Sequence, residues 1–160
     1  MVYRNKTYIC FDADTDMYYY RTLQMWNANS RFDFGFYNSH EINTIRPWSS
    51  EITIKQNLKE RMKNSKLLIV LVGEKTKNLF KYVRWEIELA QEMGIPIAAV
   101  NLNKKNGLDY DRCPAILRDK TVVHVPFSEK AIKHVIDNWC GHYPVSKRDN
   151  KINLYYDFLG

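Results

Sequence analysis

The unbroken apolar run Lys66-Leu-Leu-Ile-Val-Leu-Val72 restricts what this chain can fold into more than any other feature. A strand with one wet face alternates apolar and polar residues, whereas a strand covered on both faces does not, so the run reads as a central parallel strand between two layers of helices. It is far short of the ~20 residues needed to cross a bilayer.

The remaining segments supply the layers. Lys6 to Asp12 (KTYICFD) reads as a strand, and Asp14 or Thr15 caps a helix whose Tyr19, Leu23 and Trp26 share one face and which ends at Asn27-Ala28-Asn29-Ser30. A second strand spans Asp33 to Tyr37. The polar stretch Asn38 to Trp48 is long enough for a functional loop. Ser49 or Ser50, with Glu51 behind it, starts a second helix that turns Ile54, Leu58 and Met62 inward and spaces Glu51 for an ion pair with Lys55. After the apolar strand and Gly73, a third helix runs from Asn78 to Met93 and closes at Gly94, with Pro96 beyond. Ile95 to Val100 is a fourth strand, Cys113 to Leu117 a short helix, and Thr121 to Val125 a fifth strand. Ser128 caps a last helix with Ala131, Ile132, Val135, Ile136 and Trp139 facing inward. Residues 1–142 are read as the domain and 143–160 as a C-terminal extension without a clear period.

Strands alternating with helices specify an α/β fold, a doubly wound five-stranded parallel sheet with helices on both faces. The simplest order is 2-1-3-4-5, in which ligands bind beyond the carboxyl ends of strands one and three. That geometry nominates Phe11, Asp12 and Asp14 after strand one, Tyr37 and Asn38 after strand two, and Gly73 and Glu74 after strand three, with Trp48 framing the site from the long loop.

Composition narrows the chemistry. In 160 residues, 45% hydrophobic and 26% charged, there is material for one ordinary globular core. The N-terminus MVYRNKTY lacks the apolar stretch of a secretion signal, and the three cysteines, Cys10, Cys113 and Cys140, form no CxxC pair. A cytoplasmic, reducing setting with no membrane is expected. The net charge of +6 is scattered rather than blocked, so a nucleic-acid partner is disfavoured. Neither GxGxxG, GxxxxGK[ST], HExxH nor GxSxG occurs, which argues against dinucleotide oxidoreductases, P-loop enzymes, zincins and serine hydrolases. His134, Cys140 and His142 cluster in sequence but lack zinc spacing, and no metal is expected.

The third helix carries the most informative acid. At about 100° per residue, Val83, Ile87 and Ala90 mark a buried face; Glu86 lies about 60° from Val83, while Glu88 lies about 140° away and close to Arg84. Glu86 is the inward-leaning acid and Glu88 the wet one. An acid on an apolar face is either used chemically or seated at the rim against a neighbouring loop, and the helix pattern leaves both open.

KTYICFDADTD, SKLLIVLVGEKT and above all YVRWEIELAQEMGIPIAAV resemble the bacterial TIR-like (Toll/interleukin receptor-like) domains of anti-phage defence, the Thoeris branch among them, over residues 5–142. The resemblance implies a flavodoxin-like TIR fold and cleavage of NAD dependent on a glutamate matched here by Glu86, with NAD as substrate rather than resident cofactor. It also implies release of nicotinamide, a cyclic ADP-ribose-type product acting as a diffusible signal on a separate effector, and self-association. Tyr82, Phe80 and Val83 depart from relatives carrying tryptophan, serine and cysteine at those places. A non-catalytic TIR adaptor, or a flavodoxin-like nucleoside deoxyribosyltransferase, is the alternative.

Overall fold

The computed structural model describes residues 6–29, 51–78 and 82–159, and residues 35–38 as backbone alone. Its elements in chain order are β1 (Lys6–Cys10), α1 (Met17–Ala28), β2 (Gly35–Asn38), α2 (Glu51–Lys63), β3 (Ser65–Val72), α3 (Tyr82–Glu92), β4 (Ile97–Asn101), β5 (Val122–Pro126) and α4 (Glu129–Arg148). Neighbouring strands are parallel and run in the order β2-β1-β3-β4-β5. Cys10 stands opposite Val70, and Val72 opposite Asn101.

Side-chain alternation along the strands divides the core in two. Ile9, Leu67, Ile69, Leu71, Ala98, Val100, Val123 and Val125 face α1 and α4, whose Tyr20, Leu23, Ile132, Val135 and Trp139 cover them. Tyr8, Cys10, Leu68, Val70, Val72, Ala99 and Val122 face the other way, under Ile54, Leu58 and Met62 of α2 and Val83, Ile87 and Ala90 of α3. The apolar run is therefore buried from both sides, which is why it needs no polar alternation.

Element ends differ from the sequence expectation where backbone groups find nearer partners. β1 stops at Cys10 because the Asp12 carbonyl accepts the N–H groups of Thr15 and Asp16 and turns the chain; α1 then starts at Met17, with Asp16 rather than Asp14 or Thr15 at its N-cap. Asn78 closes a separate turn, Thr76–Asn78, rather than starting the third helix, which is described from Tyr82; Thr76 pins that turn, its hydroxyl accepting from the Gly73 N–H at 2.9 Å and donating to the Leu71 carbonyl at 3.2 Å. The last helix does not stop near 142 but runs through Pro144 to Arg148. Its final turns bury only Ser146, so no apolar stripe marks them in the sequence.

The chain then doubles back along the sheet. Leu154 pairs in parallel with Val123; the His124 N–H donates to the Leu154 carbonyl at 2.8 Å, and the Leu154 N–H to the Val122 carbonyl at 2.9 Å. Tyr156 packs edge-on against His134, with ring centres 4.5 Å apart, and its hydroxyl lies 3.0 Å from Nδ1 of His142. The histidines that cluster in sequence thus hold the C-terminal segment. Among the described residues no group of three or more His, Cys, Asp or Glu side chains could hold a metal ion, and no helix is long and apolar enough to cross a membrane.

His124 on β5 is fully buried, and neither ring nitrogen has a hydrogen-bond partner among the described residues. Burial lowers its pKa to about 4. Between that value and the ordinary 6.5 the unfolded chain binds a proton that the folded one refuses, so stability is full above about pH 6.5 and falls by up to about 3 kcal/mol on acidification toward pH 4. Denaturant titrations at pH 7 and pH 4 should show that loss, and His124→Leu should reduce it.

Candidate active site at the carboxyl end of the sheet

The site grows from α3. Each residue of its VRWEI stretch has a separate task, set by helical position. Val83 and Ile87 enter the core; Arg84 turns out and donates to Glu88 at 2.7 Å, both half-exposed. The Trp85 ring lies 5.3 Å edge-on from Tyr82 and under the Lys55 ammonium at 4.2 Å, tying α3 to α2. Glu86 is left pointing at the sheet, with 0% of its surface exposed. It is not a rim acid.

Glu86 lies by Cys10, the last residue of β1. Burial first, then the charge of Glu86 and a hydrogen bond between the two side chains, raise the Cys10 thiol well above its ordinary value. Cys10 is therefore a neutral thiol and not a nucleophile. A buried carboxylate beside an apolar sheet and a protonated thiol sits in a low-dielectric setting, where its field on a developing positive charge is least screened.

Around the turn after β1 the nominated residues take different places. Phe11 faces away from Glu86: it is 1% exposed and stacks on Tyr20, with ring centres 4.9 Å apart and planes 10° from parallel. Strand alternation is the cause, since neighbours at positions 10 and 11 must serve opposite faces. Asp12 is buried and shapes the turn, its Oδ1 accepting from the Asp14 N–H at 3.1 Å, while Asp14 is exposed at the tip. Gly73 is buried at the end of β3. Tyr37 and Asn38 lie on β2 opposite Tyr8 and Ile9, their side chains outside the described residues, as is Trp48.

One acid was not nominated from the sequence. Asp16 is 4% exposed and stands at the α1 N-cap without capping its helix. Its carboxylate turns instead to Gly73, where a β-carbon would stand 2.8 Å from Oδ1 and closer still to Oδ2. Burial, then the charges of Asp12 and Glu74, raise its pKa to about 6, against an opposing pull from Arg112. Arg112 is set by Asp109, which accepts its backbone N–H at 3.2 Å, and its guanidinium lies 3.7 Å from Glu74. The alternation Asp12, Asp14, Asp16 was the available signal, but only the fold shows which of the three is turned inward.

A raised carboxyl pKa weakens the fold once the group ionises. The native state holds the proton between about pH 4 and 6 while the unfolded chain has lost it, so stability falls as pH rises through that window and the deficit persists above it. Asp16→Asn should therefore unfold later than the parent at pH 7, by at most about 3 kcal/mol, with the gap closing near pH 4.

A groove of about 360 Å³ between α2 and α3 is lined by Lys55, Trp85, Leu89 and Glu92 among others and includes neither Glu86 nor Gly73. Residues 8–107, more than half of the chain and inclusive of Cys10, Asp16, Gly73 and Glu86, match the family model described as Thoeris protein ThsB, TIR-like domain. No curated relative matches the chain.

Proposed function

The chain belongs to the TIR-like domain family of the Thoeris protein ThsB, and from that premise we propose that it cleaves NAD at the bond to nicotinamide, as a signal-producing enzyme of anti-phage defence. The observation that carries the reading is the seat of Glu86, wholly inside the protein at the end of β1, where an unused carboxylate would only cost stability. Nicotinamide leaves NAD as a neutral base, so the reaction needs no general acid. It needs a negative group beside the ribose as positive charge develops on the sugar, and Glu86 supplies it. Attack by water gives ADP-ribose, and attack by an adenine nitrogen or ribose hydroxyl of the same molecule gives a cyclic isomer suited to act as a diffusible signal on a separate effector.

With none of its surface exposed, Glu86 meets a nucleotide only after its cover shifts. Self-association, which selects the open arrangement, is the proposed trigger, and activity should rise more steeply than in proportion to protein concentration. The test is incubation of the protein and its Glu86→Gln variant with NAD over a range of concentrations, with products read by mass spectrometry. Glu86-dependent nicotinamide release supports the enzyme, and a product one water lighter than ADP-ribose identifies a cyclase. Assembly with NAD intact throughout makes the chain an adaptor instead.

A further inference from the structure

Asp16 makes an arrangement that its position in the helix does not explain. An aspartate at an N-cap ordinarily accepts an N–H of the first helical turn, and this one does not. It is 4% exposed, its Oδ2 has no hydrogen-bond partner among the described residues, and it reaches from the turn after β1 across to Gly73 after β3. Any side chain at position 73 would take the carboxylate's place. The group spans the point where the sheet order reverses, the place at which open α/β sheets hold ligands.

We infer that Asp16 is a substrate-binding residue whose carboxylate accepts the hydroxyls of the adenosine ribose of the nucleotide. The inference rests on NAD being the substrate. Three features select that group. An acceptor with an unfilled lone pair takes donors, which hydroxyls are and phosphate oxygens are not. The charged groups around it are Asp12 on its own turn, Glu74 beyond β3 and Arg112 from the 109–112 turn, an acidic surplus that disfavours phosphate. Finally, Gly73 lies three residues past Val70, the partner of Cys10, so Asp16 stands roughly 10 Å farther along the strands than the Cys10–Glu86 contact. Glu86 serves the reacting ribose and Asp16 the distal one. An acid in this role prefers NAD to its 2′-phosphorylated form, because a phosphate there meets like charge.

The experiment compares the parent chain, Asp16→Asn and Gly73→Ala on NAD and on its 2′-phosphorylated form, with nicotinamide release measured from pH 5 to 8 and folding followed by circular dichroism. Asp16→Asn keeps the shape of the side chain, so its fold should be intact. Its KM for NAD should rise tenfold or more with a smaller change in kcat. Its preference over the phosphorylated substrate should shrink at least as far, and the loss of affinity below about pH 6 expected of the parent should vanish. Gly73→Ala, which displaces the carboxylate without removing it, should reproduce the KM and selectivity effects. A parent that cleaves NAD in a Glu86-dependent way, with an Asp16→Asn variant of unchanged KM, selectivity and pH profile, overturns the inference and leaves the enzymatic reading standing. A parent that leaves NAD intact under every condition removes both.

Discussion

Glu86→Gln is expected to lower nicotinamide release by about 10²- to 10³-fold while leaving the fold in place. The amide has the shape of the carboxylate, so the buried pocket beside Cys10 keeps its packing and loses only the charge that would face the developing positive sugar. Losing a buried charge is also no burden to the fold, since such a group is costly to hold away from water. The thermal midpoint should be equal to or above that of the parent, and substrate binding should change less than turnover. Wild-type rates in this variant, with NAD cleavage otherwise robust, would remove Glu86 from the chemistry. A collapse in thermal stability would make it a structural acid.

Trp139→Ala should cost about 3–5 kcal/mol, a large share of the 5–15 kcal/mol by which domains are ordinarily stable. Trp139 is 1% exposed in the core layer between α4 and the sheet, its Nε1 donates to the Ile97 carbonyl at 3.0 Å, and Tyr143 lies edge-on with ring centres 5.8 Å apart. Truncation opens a cavity the size of an indole and deprives a β4 carbonyl of this donor. Denaturant unfolding should show a lower midpoint with an unchanged slope. Trp139→Phe, which fills most of the volume but cannot donate, should recover more than half of the loss. A truncation costing under 1 kcal/mol would mean that α4 is not seated on the sheet as described.

How far the sequence discloses this molecule depends on which contacts are local. The 66–72 run, the stripe Ile54, Leu58 and Met62, and the division of labour between Glu86 and Glu88 follow from periodicity within one element, and each appears in the structure where that periodicity puts it. Phe11 shows the limit: strand alternation says that residues 10 and 11 oppose each other, but only the placement of α3 says which of them shares a face with Glu86. Asp16 shows a second one, because its meaning comes from Gly73, a residue far along the chain whose lack of a side chain is informative only once β1 and β3 are neighbours. The last turns of α4 lie beyond Pro144 and carry one buried residue, so no pattern separated them from a tail.

The return of the C-terminal segment along β5 bears on how copies of this domain can meet. Leu154 occupies the backbone groups of Val122 and His124 that an incoming strand would use, while β2 is the outermost strand on the opposite side of the sheet. Among the described residues the β5 flank is thus taken at Val122 and His124, so a second copy cannot extend the sheet there and grow a fibre through that flank.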